Sequence, residues 1–219
     1  FYEEARGEAH DRKIMLREVG RLETSLKAAG DKTKLVFLHY PPKYLGYECP
    51  EIISLLKDYI DIWLPDFKYF DNELAFRYSK AKNYFEQASA SIAQMIRQTG
   101  TPEYTLHPSS VPGRPDFPLM AKGVIIRHMV LPGHKDDSIR LLHWIHQHFP
   151  EHSYLVSLLS QYTPYTKNPD YPQLNRRITS YEYNKVVDTA LELGMTDGFM
   201  QQKSSAKEEY TPPFNLEGL

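Results

Sequence analysis

Asp61-Ile62-Trp63-Leu64-Pro65-Asp66-Phe67-Lys68-Tyr69 decides how the chain is read. Side chains alternate across a strand, so Ile62, Leu64, Asp66 and Lys68 share one face and Trp63 and Phe67 the other. A carboxylate and an ammonium on an otherwise apolar face need a reason. Pro65 has no N–H to give a ladder, which ends regular pairing near that point and leaves Asp66 and Lys68 just past the strand. In parallel sheets with helical crossovers, the carboxyl ends of strands are where ligands bind. An ion pair that merely caps the strand and a pair that meets a ligand are both open at this stage.

Outward from this stretch, Pro50–Tyr59 has Ile52, Ile53, Leu55, Leu56 and Tyr59 on one side of a short helix. Asp71 is placed to cap a helix running to about Ser79, and Asn83 to cap a longer one ending at Gly100. Thr101–Pro118 carries five prolines and little periodicity, and reads as a long surface loop. Gly123–Leu131 is a second strand, apolar on both faces as a covered parallel strand should be. Its exception is Arg127, whose guanidinium on an inward face needs an anion, either Asp66 or a bound carboxylate.

Asp136 is placed to cap a helix over Asp137–Phe149, on which His143, His146 and His148 read as solvated residues with no metal set around them. Ser153–Leu159 reads as a third strand and Phe199-Met200 as a short last one. Thr179-Ser180-Tyr181-Glu182 is a capping box opening a helix that ends at Gly194. The tail from Lys203 is expected to fray. Strand–helix alternation from residue 45 onward gives an α/β fold with parallel strands and helical crossovers, too few strands to close a barrel.

Upstream, residues 8–29 have the helical spacing Met15, Val19, Leu22, Leu26, and Lys34–Leu38 reads as a short strand, giving a helix–strand appendage. The chain opens at Phe1 with helical sequence already running, so it is expected to be a piece of something longer. Its 219 residues, 41% hydrophobic and 25% charged, describe a globular protein. A formal charge of -2 and no basic run argue against a nucleic-acid surface. No apolar stretch approaches the roughly 20 residues that span a bilayer, and no signal peptide is visible, so a cytoplasmic location is the expectation. The single cysteine, Cys49, excludes an internal disulfide framework.

Two resemblances follow from the residues. His10 to Ala29, followed by Leu35-Val36-Phe37-Leu38-His39-Tyr40-Pro41-Pro42, resembles an internal piece of a calcineurin-like metallophosphoesterase. That resemblance implies a metal-ligand role for His39, with none of the family's other ligands present. Gly46-Tyr47-Glu48, the stretch 61–69, Arg77-Tyr78-Ser79, Val124 to His134 and Ser157 to Pro164 together resemble the C-terminal part of radical S-adenosylmethionine proteins related to the pyruvate formate-lyase-activating enzyme. The boundary between the two falls near residue 44, giving segments 1–44 and 45–219.

The second resemblance implies an incomplete (β/α) barrel. It implies a four-iron–four-sulfur cluster on a CxxxCxxC loop, and S-adenosylmethionine cleaved to a radical that takes a hydrogen atom from a substrate. In activating enzymes the substrate is a glycine of a partner protein of the glycyl-radical type. Carried over by position, Asp66 and Lys68 lie near the methionyl carboxylate and its associated cation, Arg127 contacts the cofactor, and Tyr162 stands where a cofactor-touching His is found. This sequence has no CxxxCxxC, so no cluster and no catalytic residue are expected on it. The competing expectations are a non-catalytic α/β fragment that binds an anion or a partner, and a metallophosphoesterase remnant.

Overall fold

In a computed structural model of the chain, the described residues are 50–109, 113, 115–164 and 167–200, the strand 35–38, and the helical positions Thr24, Lys27 and Ala28. Most of the expected helix over 8–29, as well as His39, Cys49 and the tail from Lys203, lies outside them. In order, the elements are β1 (Leu35–Leu38), α1 (Pro50–Leu55), β2 (Ile62–Pro65), α2 (Asn72–Ser79) and α3 (Tyr84–Thr99). They continue with β3 (Glu103–His107), β4 (Phe117–Met129), α4 (Lys135–His148), β5 (Leu155–Leu159), a 3-10 turn (Pro172–Leu174), α5 (Ser180–Glu192) and β6 (Phe199–Met200).

The strands form one sheet in the order β1-β2-β4-β5-β6, every neighbouring pair parallel, with β3 added antiparallel to the first half of β4. This is an incomplete α/β barrel. β1 takes the edge beside β2, with Leu35 opposite Ile62 and Leu38 opposite Pro65.

Alternation along the strands decides which face the helices cover. Trp63, Phe67, Val124 and Ile126 are fully buried and pack with Ile53 of α1, Ile92, Met95 and Ile96 of α3, and Leu141 and Ile145 of α4. A second cluster joins Val130, Val156 and Leu158 to Leu142 of α4 and Tyr183, Val186 and Ala190 of α5. Burial of a side chain of this kind contributes about 1.5–3 kcal/mol, so the helical face carries most of the stabilisation. The opposite face holds Leu64, Asp66, Lys68, Ile125, Arg127 and Met129, each only partly buried.

Most expected signals are realised. Asp71 accepts from the Glu73 N–H at the start of α2, Gly100 ends α3, and Thr179 and Glu182 form a complete capping box. His143, His146 and His148 are exposed, and His148 stacks on Trp144.

Three readings are corrected. Thr101–Pro118 is not a loop; its two ends pair as the β3–β4 hairpin. Pro102 and Pro108 stand just outside β3, where a missing N–H costs nothing, so proline content there marked strand ends. Asn83 has a left-handed backbone and makes no side-chain cap; the Phe85 N–H is taken instead by Asn72 Oδ1. Asp136 does not cap α4, which starts earlier, with the His134 carbonyl accepting from Asp137 N–H.

β4 changes partner at Gly123. Before it the strand pairs with β3, and from it onward with β2. Gly123 has φ +145, and a Cβ there would lie 2.8 Å from the Met120 Cε and 3.2 Å from the Pro102 Cα. The switch in pairing therefore depends on glycine at this position.

Candidate functional site

The site is built where β2 and β4 end side by side. Among the described residues, pairing after Pro65 continues as a single parallel bridge between Asp66 and Arg127, with Phe67 N–H donating to the Arg127 carbonyl at 2.8 Å. Phe67 is the pivot. Its ring is fully buried among Phe85, Tyr84 and Trp144, with centroid distances of 5.8, 6.5 and 6.1 Å. A side chain so anchored turns its neighbours, Asp66 and Lys68, onto the opposite face of the sheet.

The backbone beyond the ladder is satisfied by side chains, as buried polar groups require. The Tyr84 hydroxyl accepts from Lys68 N–H at 2.8 Å and donates to the Asp66 carbonyl at 3.0 Å, bracketing Phe67. His128 lies on the helical side with Nδ1 2.7 Å from the Phe67 carbonyl and Nε2 2.8 Å from the Ser138 hydroxyl. A carbonyl only accepts, so Nδ1 carries the proton and Nε2 accepts from Ser138. Burial holds the imidazole pKa below its ordinary value, which keeps this neutral form.

On the other face, Arg127 Nε is 3.3 Å from Asp66 Oδ1 and Lys68 Nζ is 3.4 Å from Asp66 Oδ2. The Asp66 side chain is 8% exposed, while Lys68 and Arg127 keep 20% and 22%. The anion that Arg127 needs is thus supplied by Asp66. Lys68 and Arg127 are more exposed than the carboxylate between them. One carboxylate between two cations is the charge pattern that complements a zwitterion, whose carboxylate meets the cations and whose ammonium meets Asp66.

Beyond the strand ends a polar network fixes the loops. Asp137, buried on the first turn of α4, accepts from the N–H groups of Phe70 and Asp71, each at 3.0 Å, and from Arg140 at 3.2 Å. Glu182 accepts from Gly133 N–H at 2.7 Å, from the N–H and hydroxyl of Thr179, and from both terminal nitrogens of Arg176 at 2.7–2.8 Å. The Arg176 guanidinium holds the Glu182 carboxyl well below the usual carboxylate range, with the Thr179 and Gly133 donors adding to it.

Tyr78 joins this network through His134 Nε2 at 2.7 Å and the Gln173 amide. Tyr162 lies in the loop after β5, where its hydroxyl donates to the Leu174 carbonyl at 2.9 Å and burial raises its pKa. The structure therefore brings Asp66, Lys68 and Arg127 together and places Tyr162 in the surrounding loop. Among the described residues no three His, Cys, Asp or Glu side chains are grouped to hold a metal ion.

Sequence reasoning missed Tyr84, His128 and Asp137. Only His128, a polar residue on the fully apolar face of a strand, carried a local signal. Tyr84→Phe should cost about 1–2 kcal/mol, because Lys68 N–H and the Asp66 carbonyl lose their partner. Urea unfolding at neutral pH measures it; a change near zero would show that the bracket does not stabilise the strand end.

No protein-family model matches the chain. It is 31% identical over 145 residues to the uncharacterized protein MJ0674 of Methanocaldococcus jannaschii, an alignment covering 66% of this chain and 35% of that protein. The chain therefore spans about a third of the length of that relative. Its fold is similar to the crystal structure of a domain of pyruvate-formate lyase-activating enzyme from Bacteroides vulgatus. That match has a TM-score of 0.56 and 13% identity, and covers 86% of this chain and 94% of that domain. Among the described residues no helix is long and apolar enough to cross a membrane.

Proposed function

We propose that residues 45–219 are the cofactor-holding part of a radical S-adenosylmethionine protein of the pyruvate formate-lyase-activating type. The observation that carries this is the Asp66–Lys68–Arg127 cluster on the partly buried face of the sheet, at the carboxyl ends of β2 and β4. The fold shared with the activating-enzyme domain supports it. In this reading Arg127 and Lys68 receive the methionyl carboxylate, Asp66 orients both cations and meets the methionyl ammonium, and Tyr162 lines the outer loop.

S-adenosylmethionine supplies radical chemistry only beside a four-iron–four-sulfur cluster, which takes several cysteine thiolates. Cys49 is the one cysteine of these 219 residues, so the cluster does not fit this chain by itself. What the residues present do is bind and orient. A glycyl-radical-type partner protein belongs to the same proposal. The helix–strand segment 1–44 is the separate unit within it, its β1 serving as an edge strand. No finding supports the metallophosphoesterase resemblance or a hydrolase role for His39.

Titration calorimetry with S-adenosylmethionine tests the reading, with adenosine as the probe that lacks the amino-acid end. The wild-type chain should bind S-adenosylmethionine more tightly than adenosine, and Arg127→Ala should weaken that binding about tenfold or more, roughly 1.4 kcal/mol, with adenosine unaffected. Equal binding of the two probes to the wild-type chain, or an unchanged affinity in Arg127→Ala, would remove the cluster from cofactor binding.

A further inference from the structure

The β3–β4 hairpin is built unlike the rest of the sheet. All five residues of β3 are exposed, and the first residues of β4 are exposed as well. Leu106 is 69% and Tyr104 51% exposed, and Phe117 and Leu119 are also among the exposed large hydrophobic residues. A two-stranded ribbon with apolar side chains in water is marginal by itself. Among the described residues β3 pairs with β4 alone, so its outer edge presents backbone donors and acceptors that a further strand can use.

The sequence of that edge indicates which strand. Read antiparallel against a copy of itself about Thr105, Glu103-Tyr104-Thr105-Leu106-His107 is self-complementary. Glu103 stands opposite His107 of the second copy, Tyr104 opposite Leu106, and Thr105 opposite Thr105. These are an acid–base pair, an aromatic–aliphatic pair and a hydroxyl pair, three of the combinations that stabilise antiparallel neighbours. A two-fold axis repeats each pair, as an isologous interface requires.

We propose that β3 is a self-association edge, and that two copies of this chain pair their β3 strands antiparallel about Thr105 into a four-stranded sheet. The contact buries Tyr104 and Leu106 of both copies and is independent of the cofactor reading above. Lys122 of β4 stands opposite Glu103 in the same hairpin, and Asp116 lies in the connection leading into β4.

Sedimentation velocity over concentrations from about 1 to about 200 μM tests this on the full chain. Wild-type protein should pass from monomer to dimer, and Leu106→Lys should weaken dimerisation at least tenfold. Glu103→Lys alone should weaken it too. The charge exchange Glu103→Lys with His107→Glu should restore it, although the contact with Lys122 is the same in both. Thermal unfolding of the dilute monomers controls for folding.

Amide exchange at residues 103–107 should slow as concentration rises. A wild-type chain that stays monomeric throughout, or a Leu106→Lys variant that dimerises as well as wild type, would overturn the proposal. So would protection at 103–107 that does not depend on concentration, since another segment or protein would then be covering the edge.

Discussion

Glu182→Ala should destabilise the chain by about 3 kcal/mol at neutral pH, the largest single-residue effect expected outside the apolar core. The carboxylate receives the Gly133 N–H, the Thr179 N–H and hydroxyl, and a two-pronged contact from Arg176. Removing it leaves these donors without their acceptor, takes away the cap of α5 and frees the turn that joins β4 to α4. Arg176 is 43% exposed and can turn to water, so the loss stays below that of a fully buried pair.

The pH dependence has a definite sign. The Arg176 guanidinium depresses the folded-state pKa of Glu182 below the ordinary value of 4.5. Its contribution is therefore present in full above that value and is lost as pH falls below it, since the unfolded chain takes up the proton first. Urea unfolding at pH 7 and at about pH 3 should show the gap between wild type and Glu182→Gln narrowing in acid. A gap that is constant or widens would show that the ionised carboxylate is not what stabilises this corner.

His128→Leu is the second large effect, expected at about 2–3 kcal/mol. The imidazole is 1% exposed, and it ties the Phe67 carbonyl of one strand end to Ser138 on α4. Leucine fills similar volume but leaves the buried Phe67 carbonyl unpaired and the Ser138 hydroxyl with only its long 3.5 Å bond to the His134 carbonyl. Here too acid destabilises, but over a different range. The folded-state pKa is lowered from 6.5 by burial, so the unfolded chain gains a proton as pH falls below about 6.5 while the folded one resists it.

Wild-type stability should therefore fall between pH 7 and 5, and the His128→Leu curve should be flatter over that interval. His134, whose pKa burial also lowers, leaves a residual slope in the variant. Identical slopes in the two proteins would assign the dependence to other groups. If the proposed cofactor reading holds, His128→Leu should also bind S-adenosylmethionine more weakly, since His128 holds the segment that carries Asp66 and Lys68, and saturation with the probe should restore part of its stability.

Local pattern made much of the fold legible. The alternation through Ile62–Lys68 and Gly123–Met129 sorted residues onto two faces, and the structure keeps that sorting: Trp63, Phe67, Val124 and Ile126 under helices, Asp66, Lys68 and Arg127 opposite. Pro65 marked the end of the ladder, and Asp71, Gly100 and Thr179–Glu182 marked helix ends, because each acts on backbone groups within a few residues of itself. The hairpin escaped although Glu103–His107 alternates polar and apolar, because the run is only five residues long and stands among the five prolines of 101–118, which read as a loop. Its pairing is with a segment across a proline-bearing turn.

By itself, then, the sequence determined the elements, their faces and the presence of charge at one strand end. Tertiary structure decided what that charge does. That Asp66 serves Arg127 depends on β2 and β4 becoming neighbours, 61 residues apart, with α2, α3 and β3 between them in sequence. That Asp66 and Lys68 are held in place depends on Tyr84 from α3 and His128 from β4 arriving at backbone groups that Pro65 had released from the ladder. No local rule brings those partners together. Their positions follow from packing Trp63, Phe67 and Val124 against three helices at once, and a cooperative arrangement of that kind has no counterpart in any one segment.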